Sequence, residues 1–318
     1  VDQRCDSMKK TTVIALVFIF LLQANIYAAE DLSYFDAHFR EIKEYYPSYE
    51  VMNDKNIPQY TDEEDLIQSL KNIYSSIDSY SYFYSKDEIE HYVNKDMVEQ
   101  RVEYEIAKDI GYIRIFSFTD DTFERIIDAL NSIEDNKINN IVLDLRDNKG
   151  GDIIESVRVA QLFVKEGLIA KIDFYSEEFE DIEYYSNLKE LKYKLIVLVN
   201  NGTSSAAELL AGAIQDTDSG YIIGSKTFGK SKVQKLIPIM APESFIKSND
   251  IVEKPTINLL KASKQGVFVK NSDILGWAKI TVGNFYTKNS KEIEGKGIQP
   301  NYNLDESIKI YDFHLYRK

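Results

Sequence analysis

Two short turns carry the residue types that could do chemistry. The first reads Asp144-Leu145-Arg146-Asp147-Asn148-Lys149-Gly150-Gly151. A glycine pair between a buried apolar run and a helical pattern leaves backbone N–H groups bare and closely approachable, which suits an anion or a developing oxyanion. Gly-Gly read alone is more simply a tight turn. The second is Asn200-Asn201-Gly202-Thr203-Ser204-Ser205-Ala206-Ala207-Glu208. Here Ser205-x-x-Glu208 is a capping box, with the serine on the first helical N–H groups and the glutamate reaching back. That accounts for both residues without catalysis.

The elements around these turns alternate. Tyr112 to Phe116 reads as a strand, followed by a helix capped near Thr119 or Asp120 with Phe123, Ile126, Ile127, Leu130 and Ile133 at helical spacing. Ile141–Leu145 is a buried strand that leads through the glycine pair into a helix with Ile154, Val157, Ala160 and Val164. Leu195–Val199 feeds the helix Ala206–Gln215, and Tyr221–Ile223 is a fourth strand. Strands separated by helices of this length imply parallel crossovers and an α/β layer, whose ligand sites lie at the carboxyl ends of the strands. Residues 31–105 are Tyr-rich and polar, with Leu66, Ile67, Leu70, Ile73, Tyr74 and Ile77 at helical spacing, and read as a small helical domain or arm.

The 318 residues include 52 Asp+Glu against 38 Lys+Arg, 44% hydrophobic residues, and one cysteine. This much apolar side chain is globular composition, and a disulfide-stapled scaffold is excluded. The net charge of −14 disfavours nucleic acid as a partner, since gripping phosphates needs a Lys/Arg surplus on one face. Lys9-Lys10, the apolar run Val13–Leu22 and Ala28-Ala29 have the order of a secretory signal peptide over residues 1–29. The run is too short for a transmembrane span, so membrane contact is expected only transiently, through that segment. Cys5 precedes Met8 and falls outside the expected mature chain. An uncleaved signal anchor is the alternative, because Ile26 or Tyr27 is bulky for the position it would hold.

A third segment, Gly224-Ser225-Lys226-Thr227-Phe228-Gly229-Lys230 with Val233-Gln234, completes a pattern. In order, the chain has Asp144-Leu145-Arg146 with Gly150-Gly151, then Val197 to Glu208, then this segment. Ala278-Lys279-Ile280-Thr281, Tyr286-Thr287 and Gly295-Lys296-Gly297-Ile298-Gln299-Pro300 follow, and Asp78-Ser79-Tyr80-Ser81-Tyr82 comes before. Together these resemble the C-terminal processing (tail-specific) serine protease family over roughly residues 70–305. The resemblance implies an α/β (α+β) architecture: a ClpP/crotonase-like parallel-sheet catalytic core over 106–318 behind a small N-terminal helical domain over 30–105. It implies Ser205 as nucleophile, Lys230 as general base 25 residues later and Gln234 as the side chain that positions the lysine. The backbone N–H groups of Gly151, Gly150 and Ala206 are the implied oxyanion donors. The physics is consistent: a serine hydroxyl needs an adjacent base, and a lysine of ordinary pKa about 10.4 serves as one only when burial keeps it neutral. Phe228 and Val233 are expected to supply that apolar surrounding, and Glu208 to be mainly structural.

The chain departs from the family pattern. Lys149 stands for the usual proline, Ala207 for a serine and Ser231 for the glycine after the lysine. Most members insert a PDZ domain before the first catalytic strand, and the interval between Tyr82 and Tyr112 does not hold one. Conversely, residues 238–277 occupy a usually shorter connection, expected to be an insertion that covers the cleft or else a surface excursion. His38, His91 and His314 read as surface or packing residues, and no spacing suggests a metal or cofactor. The expected function is an exported serine endopeptidase acting on unfolded or extended polypeptides. A peptide-binding pseudoenzyme of the same fold, or a histidine-assisted relative using His91, are the alternatives.

Overall fold

A computed structural model describes residues 34–48, 62–89, 102–242, 274–289 and 292–304. In chain order the elements are α1 (Tyr34–Tyr45), α2 (Glu63–Ser75), β1 (Tyr82–Ser85), β2 (Val102–Ala107), β3 (Ile110–Ile115) and α3 (Thr122–Asp135). Then come β4 (Asn140–Asp144), α4 (Ile153–Phe163), β5 (Gly167–Phe174), β6 (Ile182–Ser186), β7 (Lys194–Val199), α5 (Ala206–Asp216) and β8 (Tyr221–Gly224). The last strands are β9 (Lys232–Met240), β10 (Ile274–Tyr286) and β11 (Tyr302–Asn303). The chain divides into two compact units. The larger is Tyr92–Tyr175, Glu180–Val233 and Val282–Lys318; the smaller is Val1–His91, Ser176–Phe179 and Gln234–Thr281.

The larger unit holds a six-stranded sheet in the order β11-β8-β7-β4-β3-β2. The pairs β3–β4, β4–β7, β7–β8 and β8–β11 are parallel, and β2–β3 is an antiparallel pair. The expected α/β layer is therefore present. Helix α4 packs between α3 and α5; α3 lies against β2 and β3, α5 against β8 and β5, and α4 against β5 and β6. Burial follows the strand period: Ile113, Ile115, Ile141, Leu143, Leu195, Val197 and Ile222 are all buried. Helix α3 buries Ile126, Ala129, Leu130 and Ile133 at helical spacing; its N-cap is Asp121, one residue beyond the expected start. The strands β5 and β6 were not legible in the sequence. In the same unit they form an antiparallel pair, with β5 also against Gly283–Tyr286 of β10.

In the smaller unit, Asp62 caps α2 by accepting from the Asp65 N–H at 2.9 Å, and α2 buries Leu66, Leu70, Ile73 and Tyr74. β1 pairs antiparallel with Gly276–Lys279 of β10, and Tyr74 stacks on Phe83 with ring centroids 6.2 Å apart. The range read as helical thus also contains β1 and β2. Only residues 86–101 separate these strands, too few for a further domain of about 50 residues or more. His38 is a packing residue, buried at 6% exposure with its Nδ1 3.3 Å from the Tyr74 hydroxyl. Residues 1–33, His91, His314 and most of the 238–277 stretch lie outside the described residues. Among the described residues, no helix is long and apolar enough to cross a membrane.

Burial lowers the His38 imidazole to about 4, so the folded unit resists its protonation. The unfolded chain binds that proton near 6.5, and stability is therefore lost as pH falls from about 6.5 towards 4. NMR titration of the His38 ring is expected to give a midpoint near 4; a midpoint near 6.5 would contradict its burial. In the larger unit, Leu143→Ala removes a fully buried side chain from a central strand and is expected to cost about 2–5 kcal/mol in chemical denaturation.

Candidate active site

The carboxyl ends of β4 and β7 bring the two glycine- and serine-bearing turns together, as neighbouring parallel strands must. Asn200 closes the first link. Its Oδ1 accepts from the Asp147 N–H at 2.9 Å and its Nδ2 donates to Asp147 Oδ1 at 3.0 Å. Thr203 Oγ1 donates to the Leu145 carbonyl at 2.7 Å, the Ser204 N–H to the Asn148 carbonyl at 2.9 Å, and Ser204 Oγ to the Lys149 carbonyl at 3.0 Å. Ser205 follows at φ 57°, ψ −123°, a positive φ that side-chain-bearing residues avoid. Backbone held in such a conformation persists where the surroundings over-determine it, and it tends to mark functional positions.

Ser205 is 7% exposed and is the N-cap of α5. The expected capping box is present. The Ser205 N–H donates to Glu208 Oε2 at 2.9 Å. The Ser205 side chain faces the Glu208 N–H, which completes the box, and that N–H donates to the Ser205 carbonyl at 2.8 Å.

The glycine turn sits directly against this serine. A Cβ at Gly150 would fall 2.8 Å from Ser205 Cβ and 2.9 Å from the Ala206 nitrogen, and φ at Gly150 is +97°. Only glycine lets the two turns approach this closely. The Gly150 N–H donates to Asn148 Oδ1 at 2.8 Å, and Asn148 Nδ2 donates to the Ile115 carbonyl at 2.9 Å. Phe118 pairs with the far side of the turn: its N–H donates to the Gly150 carbonyl and its carbonyl accepts from the Asp152 N–H, each at 2.9 Å. In that parallel pairing the Gly151 N–H and C=O point to the opposite edge. Of the three implied oxyanion donors, Gly150 is thus engaged internally. The Gly151 and Ala206 N–H groups have no protein acceptor among the described hydrogen bonds.

Asp144, fully buried at the end of β4, anchors the start of the turn. Its carboxylate accepts from Arg146 Nη2 at 2.5 Å, from Arg146 Nε at 2.9 Å and from the Tyr112 hydroxyl at 2.6 Å. The Asp144 hydrogen bond raises the Arg146 guanidinium above its ordinary value. Burial, with the Asp144 charge second, raises the Tyr112 phenol.

The third segment is fastened to the second by Glu208. Its Oε1 accepts from Thr227 Oγ1 at 2.5 Å and the Gly229 N–H at 2.7 Å; its Oε2 accepts from the Lys230 N–H at 2.8 Å as well as from Ser205. The Phe228 N–H also donates to the Thr203 carbonyl at 3.0 Å. Glu208 is fully buried, and burial raises its carboxyl while the Thr227, Lys230, Gly229 and Ser205 donors oppose that shift. The backbone of Lys230 is thereby tied through one carboxylate to the backbone of Ser205. Lys230 and Gln234 are half-buried, and Gln234 lies within β9. Val233 is buried as expected. Phe228 is 57% exposed, and its amide faces the serine turn.

The fold is that of an α/β protein with a strained serine at a helix N-terminus, facing a glycine turn. The model for Peptidase family S41 matches residues 109–304, and the chain belongs to that family. A carboxy-terminal-processing protease of Bartonella bacilliformis is 29% identical over 232 residues, covering 70% of this chain and 46% of that one. A probable CtpA-like serine protease of Staphylococcus aureus is 38% identical over 136 residues, 42% of this chain and 27% of that one. The chain thus spans less than half of either relative. Among solved structures, a lipoprotein from Streptococcus agalactiae shares the fold at a TM-score of 0.59 and 13% identity, over 89% of this chain and 95% of that one.

Several residues that build the site carried no weight in the sequence reading. Thr227 and Asn148 lay inside the quoted segments as spacers; Tyr112 read only as a strand residue. Their polar side chains beside glycine turns were the available signal. No group of three or more His, Cys, Asp or Glu suited to a metal occurs among the described residues.

Glu208→Ala leaves the Ser205, Gly229 and Lys230 amides and the Thr227 hydroxyl without their acceptor. It is expected to destabilise the protein by about 3 kcal/mol or more, with Glu208→Gln losing less. Equilibrium unfolding of the two variants checks this, and equal losses would show that the hydrogen-bonding oxygens do not matter.

Proposed function

We propose that this chain is an exported serine endopeptidase that hydrolyses extended polypeptide segments through Ser205 and Lys230. The observation that carries the reading is the joint fastening of the Ser205 and Lys230 amides to buried Glu208, beside a glycine turn whose outer edge offers an N–H. The relatives' names as carboxy-terminal-processing and serine proteases support the reaction class.

A substrate strand adds along the outer edge of Gly151, where both the N–H and the C=O of that residue face away from Phe118. The scissile carbonyl oxygen lies between the Gly151 and Ala206 N–H groups. Ser205 Oγ attacks the carbonyl carbon while the neutral Lys230 amine takes the hydroxyl proton. The oxyanion that forms is held by the two amides, with the N-terminus of α5 adding positive potential. The tetrahedral adduct collapses as Lys230 gives its proton to the leaving amine. Water then enters, gives a proton to Lys230 as it attacks the acyl carbon, and Lys230 passes that proton to the departing Ser205 Oγ, restoring the free enzyme. Gln234 positions the Lys230 amine, an assignment that rests on the family resemblance and the four-residue spacing. Residues 106–318 form the catalytic part, and residues 1–29 direct export to the extracellular space or the cell envelope.

Purified wild type is expected to cleave an unstructured polypeptide, Ser205→Ala and Lys230→Ala to lose about 10³-fold or more in kcat, and His91→Ala to retain it. Cleavage that survives Lys230→Ala but fails in His91→Ala would replace the lysine by the histidine. Peptide binding with no cleavage by wild type would make the chain a binding protein.

A further inference from the structure

The segment Thr227–Ser231 is held on two sides. Towards the nucleophile turn, the Phe228 amide donates to the Thr203 carbonyl, while the Thr227 hydroxyl and the Gly229 and Lys230 amides donate to Glu208. Thr227, Gly229 and Ser231 also bond to residues 294–298. The Thr227 N–H donates to the Ile298 carbonyl at 3.1 Å and Thr227 Oγ1 accepts from the Ile298 N–H at 2.7 Å. The Gly229 carbonyl accepts from the Gly295 N–H at 2.8 Å. Ser231 gives both its donors to one oxygen: its N–H to Glu294 Oε2 at 2.8 Å and its Oγ to the same atom at 3.3 Å. On its other side, the Ser231 carbonyl accepts from the Phe285 N–H at 2.9 Å.

Lys230 therefore sits between two carboxylate-bound amides, its own on Glu208 and the next on Glu294. Fixing successive peptide planes fixes φ and ψ of the residue they share, and with them the direction in which its Cβ leaves the chain. We infer that Glu294 is a positioning residue for Lys230, acting through Ser231. The inference rests on the Ser205/Lys230 reading. The second, hydroxyl contact at 3.3 Å is particular to this chain, because a glycine at position 231, which the family resemblance would place there, offers only the N–H. Ser231 is buried at 3% exposure, so its amide needs a partner within the protein. Glu294 reaches it from the wall of a cavity of about 300 Å³ that Lys232, Asn284, Tyr286, Glu292 and Lys296 also line.

Glu294 acts through its oxygen, which holds both donors of Ser231. The amide of Glu294→Gln keeps an oxygen acceptor and loses the charge; Glu294→Ala loses both. In peptide hydrolysis by the full chain, Glu294→Ala is expected to lower kcat about tenfold or more, with KM within about twofold. Glu294→Gln is expected to recover kcat to within about threefold of wild type, because it keeps the oxygen that holds Ser231. Wild-type kcat in Glu294→Ala, or a kcat in Glu294→Gln as low as in Glu294→Ala, would overturn the assignment. If Glu294→Ala does not fold, Glu294→Asp decides: its shorter side chain draws the oxygen away from Ser231 and is expected to lower kcat about tenfold with KM within about twofold, and wild-type kcat in it would overturn the assignment. Should Lys230→Ala itself retain turnover, the dyad falls rather than the role of Glu294 alone.

Discussion

The buried carboxylate of Glu208 is the interaction on which the rest of the site depends. Four donors from residues 205, 227, 229 and 230 converge on its two oxygens, and every one of them is needed to offset the cost of placing a carboxylate where no water reaches it. The arrangement works in both directions. The donors keep the carboxylate in place, and the carboxylate holds two segments, far apart in sequence, in one geometry. Its location in the first turn of α5 adds the favourable field of a helix N-terminus.

Around that hub the site is assembled from backbone rather than from a cluster of reactive side chains. Asn200, Thr203 and Ser204 use side chains, and Ser204 also its amide to the Asn148 carbonyl, to tie the glycine turn to the serine turn. The consequence is a serine held at a positive φ at the start of α5. Such a conformation costs free energy that the network must supply, which is why so much polar bonding surrounds one residue. The anchor at the other end is Asp144, whose pairing with Arg146 and Tyr112 fixes where the turn leaves β4.

Much of this was legible before any coordinates. The four parallel strands and three helices of the α/β layer follow from apolar runs and helical spacing, and the structure places them within a residue or two of the expected limits. Ser205-x-x-Glu208 identified a helix start, and Gly150-Gly151 identified a turn that could approach another backbone. The strands β5 and β6 were not legible, since Gly167–Phe174 and Ile182–Ser186 mix charged and apolar residues without clean alternation. Phe228, expected among the apolar surroundings of Lys230, is 57% exposed with its amide bonded to the Thr203 carbonyl. Glu294 carried no signal, because its partner Ser231 lies 63 residues away and no local pattern joins them.

What the sequence by itself determined is everything set by short range: element types, the glycine positions, the serine at a helix start, and the family pattern that gathers them. Those follow from backbone sterics and side-chain period, which act over a few residues. Tertiary structure alone decided that Gly150 spends its amide on Asn148 while Gly151 turns outward, and that Glu208 reaches the backbone of Lys230. These are outcomes of competition for hydrogen-bond partners among groups brought together only by folding. A buried donor takes the acceptor that the packing presents, and packing joins residues that the chain order keeps apart.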